Sequence, residues 1–180
     1  MKFVTIDMST KFLAYALWND SKLVRYGKVF PNGTYDLAAG SITDAVIKTF
    51  KKDKIERVVY ESAFLGKNVN VVKGLSKTTG AMLGGFYLLG VRDFQSVPPI
   101  VWQNGVGVGR TTKVKLDKIR KENPGRSVTW IKNRDRENRK QLVVDLVNQH
   151  YKLKLQYEDN DLADAIAIGY YELQKWTNDE

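Results

Sequence analysis

The sequence predicts an α/β fold built on a mixed sheet, with three antiparallel strands followed by parallel strands that alternate with helices. Apolar runs at 2–7, 12–19 and 22–30 follow one another closely, the last two flanking an Asn-Asp-Ser turn that reads as an antiparallel hairpin. The period then changes: Leu37, Ile42, Ala45, Val46 and Phe50 recur at helical spacing. The apolar strand IERVVYE (55–61) comes next, so a helix separates it from the earlier strands, the crossover that parallel pairing requires.

The remaining elements follow in order. The Lys-rich KKDK closes the first helix, and a second is predicted from about Asn68 to Leu89. A strand near FQSV (94–97) leads to a turn at Pro98-Pro99 and a Gly-Val-Gly loop at 107–109. A basic helix, TTKVKLDKIRKE, comes next. SVTWI reads as a short strand or loop, a further basic helix ends near His150, and a final helix spans about Asn160 to Trp176. No repeat, low-complexity tract or linker interrupts the 180 residues, so residues 1–180 are expected to form one domain.

Composition excludes several chemistries. With no cysteine there is no disulfide, thiolate catalysis or cysteine-bound zinc, and the single histidine, His150, cannot build a histidine metal site. No apolar run approaches the roughly 20 residues that cross a bilayer, and MKFVTIDMST lacks a signal peptide's apolar stretch. A cytoplasmic protein without membrane association is expected, in the host cytoplasm if the chain is phage-encoded.

Four carboxylates stand where apolar elements would ordinarily exclude them. Asp7 and Glu61 end predicted strands, and Asp161 and Asp164 lie in the apolar helix NDLADAIAIGYY. If the two strands are parallel neighbours, their C-terminal ends open on one edge of the sheet, where α/β proteins place ligands. Asp161 and Asp164, three residues apart, share a helix face about 4.5 Å apart along the axis. Acids gathered in an apolar setting repel, and a shared divalent cation keeps them ionised. With oxygen donors alone available, Mg²⁺ or Mn²⁺ is the expected ion. Three of the acids also have a structural reading, Asp161 beside an Asn160 helix cap, Asp7 satisfying donors of the next turn and Glu61 paired with a buried cation, whereas Asp164 sits one turn further in amid alanines and isoleucines.

The net charge is +9, and residues 110–140 alone contribute +8, from 12 Lys or Arg against four acids. A solvated face mixes signs for pairing along a helix, whereas this segment leaves most of its cations available for phosphates. A basic protein with one acidic centre is expected to handle a polyanion at a metal site.

The order of these blocks resembles the RuvC-type Holliday-junction resolvases of the ribonuclease-H-like superfamily. MKFVTIDMST is similar to the family's opening strand and D-x-S-T turn, and ESAFLGKNVNVVKGLSKTTGAMLGG to its E-x-x-F-x-x-K-N stretch and long helix. GVGVGRTTK resembles its Gly-x-Gly-x-x-x-Lys loop, and NDLADAIAIGYY its closing D-x-A-D-A helix. Two departures stand out. Trp102 occupies the place of a lysine that bacterial members carry ahead of the glycine loop, and the extra basic sequence from about Gly125 to Lys154 is closer in character to phage and poxvirus members.

The resemblance implies a ribonuclease-H-like five-stranded mixed sheet, three strands antiparallel and two parallel, in a single RuvC-like nuclease domain. It implies a homodimer that cuts opposed strands of a four-way DNA junction, leaving 5′-phosphate and 3′-hydroxyl ends, with no small-molecule cofactor. Asp7, Glu61, Asp161 and Asp164 are implied as ligands of two Mg²⁺ ions, for which Mn²⁺ substitutes, with Asp7 the candidate bridge. Lys113 is implied close to the scissile phosphate and Phe64 as an aromatic wedged against bases, although an aromatic beside a strand end also reads as core. Lys67, Asn68, Arg110, Lys115, Arg134, Arg136 and Arg139 complete the expected DNA contacts. Gly80 and Gly84 suit either intrachain packing or a two-fold seam. A flap, branched-DNA or RNA–DNA hybrid nuclease of the same fold, or an inactive DNA-binding module, are the alternatives.

Overall fold

The computed structural model describes residues 1–9, 11–31, 35–62, 69–109 and 111–178, with residues 35–39 and 177–178 described by backbone alone. Five strands form one sheet: β1 (Lys2–Met8), β2 (Leu13–Asn19), β3 (Lys22–Val29), β4 (Arg57–Glu61) and β5 (Asp93–Val97). Their order is β3-β2-β1-β4-β5. β1 to β3 pair antiparallel through two tight connections, and β4 and β5 join parallel on the other side of β1. The mixed sheet expected from the sequence is therefore present, with β1 and β4 as parallel neighbours.

Strand alternation divides the sheet into two faces. Val4, Ile6, Leu17 and Val58 point toward α1 (Tyr35–Phe50) and α2 (Val69–Leu88), where they pack with Val46, Phe50 and Phe86. Phe3, Trp18 and Val59 point the other way, against α5 (Val128–Tyr151) and α6 (Asn160–Asn178), where they meet Val144, Ala163 and Ile166. Asp7 shares the parity of Phe3, and Glu61 that of Val59. Both acids thus belong to the α6 face.

One hydrogen-bond chain seats α6. The fully buried Thr5 hydroxyl donates to the carbonyl of Ala165 at 2.7 Å and accepts the indole N–H of Trp18 at 2.9 Å. Gly169 makes the close approach possible, because a Cβ there would stand 2.3 Å from the Trp18 ring. Thr5 lies two residues before Asp7 and Ala165 one after Asp164, so this contact sets the separation of the two acids.

Two local expectations are corrected. Pro98-Pro99 is not a closed turn: Pro98 caps and Pro99 opens α3 (Pro99–Gly105), a place where proline's missing N–H costs nothing. SVTWI is neither strand nor loop but the start of α5. Ser127 accepts the N–H of Trp130 at 3.1 Å, and that cap outweighs the strand preference of Val128, Thr129 and Trp130. The other basic helix is α4 (Lys113–Glu122), capped by Thr112, and a 3-10 turn at Tyr157–Asp159 precedes α6. Among the described residues no helix is long and apolar enough to cross a membrane.

Candidate active site

The C-terminal ends of β1 and β4 and the first turns of α6 open on one cavity of about 300 Å³, and Asp7, Glu61, Asp161 and Asp164 all line it. Arg136, Arg139 and Lys140 of α5 form a basic wall. Their spacing, i, i+3 and i+4, puts the three on one helix face. Ser9 and Gln103 add neutral polar groups.

Proximity and burial show in the protonation of the acids. Burial chiefly, then Asp164, Glu61 and Asp161, push Asp7 well above the ordinary carboxylate range, with Lys140 opposing. Burial and the charge of Glu61 raise Asp164 to about 7, against the pull of Lys140 and Arg136. Glu61 is raised by burial, and a hydrogen bond from Trp102 opposes the shift. Desolvation is the leading cause for all three, reinforced by like charges at Asp7 and Asp164.

The structural readings of these acids meet other partners. Ser9, not Asp7, satisfies the turn after β1, accepting the N–H groups of Lys11 and Phe12 at 3.1 and 3.0 Å. Among the described residues no ion pair is made by Glu61; its Oε2 accepts the Trp102 indole N–H at 2.7 Å. Asp161 does lie in the first turn of α6, and it also accepts a 3.0 Å bond from Lys28 Nζ. Lys28 reaches it because Asp7, Ala14 and Lys28 stand opposite one another across β1, β2 and β3.

The expected DNA contacts separate into groups. Arg136 and Arg139 line the cavity, whereas Arg134 is exposed and paired with Glu137 at 3.3 Å. Arg139 is tied to the buried Asp135 at 3.1 Å, and Asp135 also accepts from the Thr111 hydroxyl, which fastens the segment after the glycine loop to α5. Lys113 and Lys115 are exposed in the first turn of α4, and neither is among the cavity walls. Phe64, Lys67, Asn68 and Arg110 lie outside the described residues.

Lys28, Trp102 and Lys140 were not among the candidate site residues. Lys140 bonds Asn160 at the start of α6 and acts electrostatically on both Asp7 and Asp164. Its spacing from Arg136 was a usable signal in the sequence. Lys28 was visible only through the strand register.

The donor chemistry suits a hard divalent cation, since four carboxylates offer only oxygens and three of them are held above their usual protonation range. Among the described residues, no three acids close on one point as a preformed ligand shell. They surround a cavity large enough to admit an ion and a phosphate oxygen, and a bound cation would have to draw them inward.

No protein-family model matches the chain, and no curated protein matches it by sequence. Structure is more informative. Thermus thermophilus RuvC in complex with a Holliday junction substrate superposes with a TM-score of 0.70, at 16% identity, over 98% of this chain and 96% of that one. The chain has the ribonuclease-H-like fold of RuvC. A second structure of Thermus thermophilus RuvC gives a TM-score of 0.69 at 16% identity, covering 99% and 97% of the two chains. Both alignments run over nearly the full length of the two chains.

Proposed function

We propose that this protein is a metal-dependent endonuclease that resolves four-way DNA junctions by phosphodiester hydrolysis. The observation that carries the reading is the composition of one cavity: four acids from β1, β4 and α6 face Arg136, Arg139 and Lys140, on a RuvC fold. A site with acids alone would repel DNA, and one with cations alone would bind it without cutting. This cavity has both.

Asp7, Glu61, Asp161 and Asp164 would hold two Mg²⁺ ions, with Asp7 central. When bound, such ions polarise the phosphate, activate water and stabilise the leaving 3′ oxygen. The protein's own groups do the rest. Arg136 and Lys140 take a phosphate against the acid cluster, and their charge offsets what develops on the phosphoryl group during attack. Trp102 orients Glu61, and the Thr5 contact holds α6 so that Asp164 faces Asp7. Lys113 and Lys115 extend the basic surface along α4 to the arms of the junction, and Phe64 would contact bases near the crossover.

Paired cuts need two copies of the chain. In α2, Gly85 packs against Val46 and the Thr43 carbonyl, while a Cβ at Gly80 or Gly84 would meet no atom of the described residues within 4 Å. Intrachain packing therefore uses Gly85, which leaves the other two glycines to a partner helix in a homodimer.

A nicking assay tests the reading. A synthetic four-way junction, a 5′ flap, a linear duplex and an RNA–DNA hybrid are incubated with the protein with and without Mg²⁺. Paired, ligatable nicks in the junction alone are expected. Cutting of flap or hybrid with the junction left intact would replace this reading with another nuclease activity of the same fold.

A further inference from the structure

Arg136 and Lys140 line not one cavity but two. They also wall a second space of about 380 Å³, lined by none of the four acids and completed by Asn133, Glu137 and Tyr157. A phosphate held by Arg136 and Lys140 would therefore adjoin both the acid cluster and this second cavity.

The second cavity is built rather than incidental. Tyr157 stands in the 3-10 turn before α6, where the Gln156 N–H donates to Asp159 at 3.0 Å and the Asn160 side chain donates to the Tyr157 carbonyl at 2.9 Å. Asn160 in turn accepts from Lys140. The backbone of the aromatic residue, the shared cation and the helix bearing Asp161 and Asp164 thus form one hydrogen-bonded unit, so the position of Tyr157 in the chain is tied to that of the acids.

The lining also has a recognisable chemistry. The Tyr157 side chain is exposed, and among the described residues no other ring packs on it. Asn133 supplies an amide that both donates and accepts, and Glu137 a carboxylate that accepts. An uncovered ring beside phosphate-binding cations, with hydrogen-bonding groups at its rim, is what a nucleic-acid base requires of a protein surface.

We propose that this cavity receives the base of the nucleotide adjoining the scissile phosphate, stacked on Tyr157 and bordered by Asn133 and Glu137. It rests on the nuclease reading and deepens it by assigning a subsite for sequence preference. Tyr157 is a base-binding residue here, and Asn133 a specificity residue.

The test uses the full chain. Junctions carrying one 5-iodouracil at successive positions around the nick are bound to the Asp7→Asn protein in Ca²⁺ and irradiated, and the linked peptide is identified by mass spectrometry. Cross-linking to Tyr157 is expected from a nucleotide next to the nick. In the otherwise native chain, Tyr157→Ala should lower junction affinity about tenfold, within the range for one stacked base, with Tyr157→Phe near wild type. Asn133→Ala should flatten cleavage preference across junctions randomised at that nucleotide. A folded Tyr157→Ala protein that binds and cuts like wild type overturns the subsite and leaves the nuclease reading standing. If wild type neither binds nor cuts any branched DNA, that reading falls, and a 5-iodouracil single strand takes the junction's place. Cross-linking to Tyr157 there keeps the base site, and none removes it.

Discussion

The indole Nε1 of Trp102, fully buried in α3, donates a 2.7 Å hydrogen bond to Oε2 of Glu61 at the end of β4. The bond fixes one carboxylate oxygen and favours the ionised form, opposing the upward push of burial. Trp102→Phe keeps an aromatic ring but removes the donor. Titration calorimetry with Mn²⁺ should show affinity about 10- to 100-fold weaker, with onset at higher pH because Glu61 is then harder to ionise. The lost charge-assisted bond should cost about 1 to 3 kcal/mol. Unchanged Mn²⁺ affinity would confine Trp102 to a packing role.

Removing a single acid separates cutting from binding. Asp7→Asn or Glu61→Gln should abolish cleavage while junction affinity in Ca²⁺ is retained or tightens, since a carboxylate that repels phosphate has gone. Gel-shift and nicking assays on one preparation measure both. Retained cutting by Asp7→Asn would sink the metal assignment.

Stability should fall as pH rises through the neutral range. Asp164 has an ordinary pKa of 3.8 and is raised to about 7 in the fold, and Asp7 is raised as well. Between these values the folded state keeps a proton on Asp164 that the unfolded chain has released, so the unfolding free energy declines from about pH 4 to 7, and the raised Asp7 acts in the same direction. The decline should be on the order of a few kcal/mol. Mg²⁺ binds the ionised acids, so its effect on melting temperature should be larger at pH 7.5 than at pH 5.5. A metal-free melting temperature that climbs over this range would contradict the burial of the cluster.

The arginines of α5 should differ in what they support. Arg136 lines both cavities, and Arg136→Ala should weaken DNA binding and reduce the log-log salt slope by about 0.9 for one phosphate contact. Arg139→Ala would instead strip a partner from the buried Asp135, costing about 3 kcal/mol. Chemical denaturation and salt-dependent binding of the two variants distinguish the roles. An unchanged slope for Arg136→Ala would make its charge a solvated one.

Thr5 should matter to a site it does not line. Thr5→Val leaves the buried Trp18 N–H without its acceptor and releases the Ala165 carbonyl of α6. A loss of about 1 to 3 kcal/mol is expected, together with slower single-turnover cutting at unchanged junction affinity. Full activity in this variant would mean that α6 is placed without the Thr5 contact.

Much of this protein was determined by local pattern. The apolar runs of β1 to β3, helical spacing from Leu37 to Phe50 and the acids of NDLADAIAIGYY are properties of short stretches, and the mixed sheet and its acidic centre follow from them. Short-range chemistry is ambiguous at Pro98-Pro99 and SVTWI, where proline and β-branched residues suit a helix's first turn as well as a turn or strand. Tertiary structure decided which side chains complete the site. Lys28 and Asp161 are 133 residues apart, Trp102 and Glu61 are 41 apart, and Thr5 and Ala165 are 160 apart. Strand register and the seating of α6 bring these pairs together, and neither leaves a periodic trace along the chain.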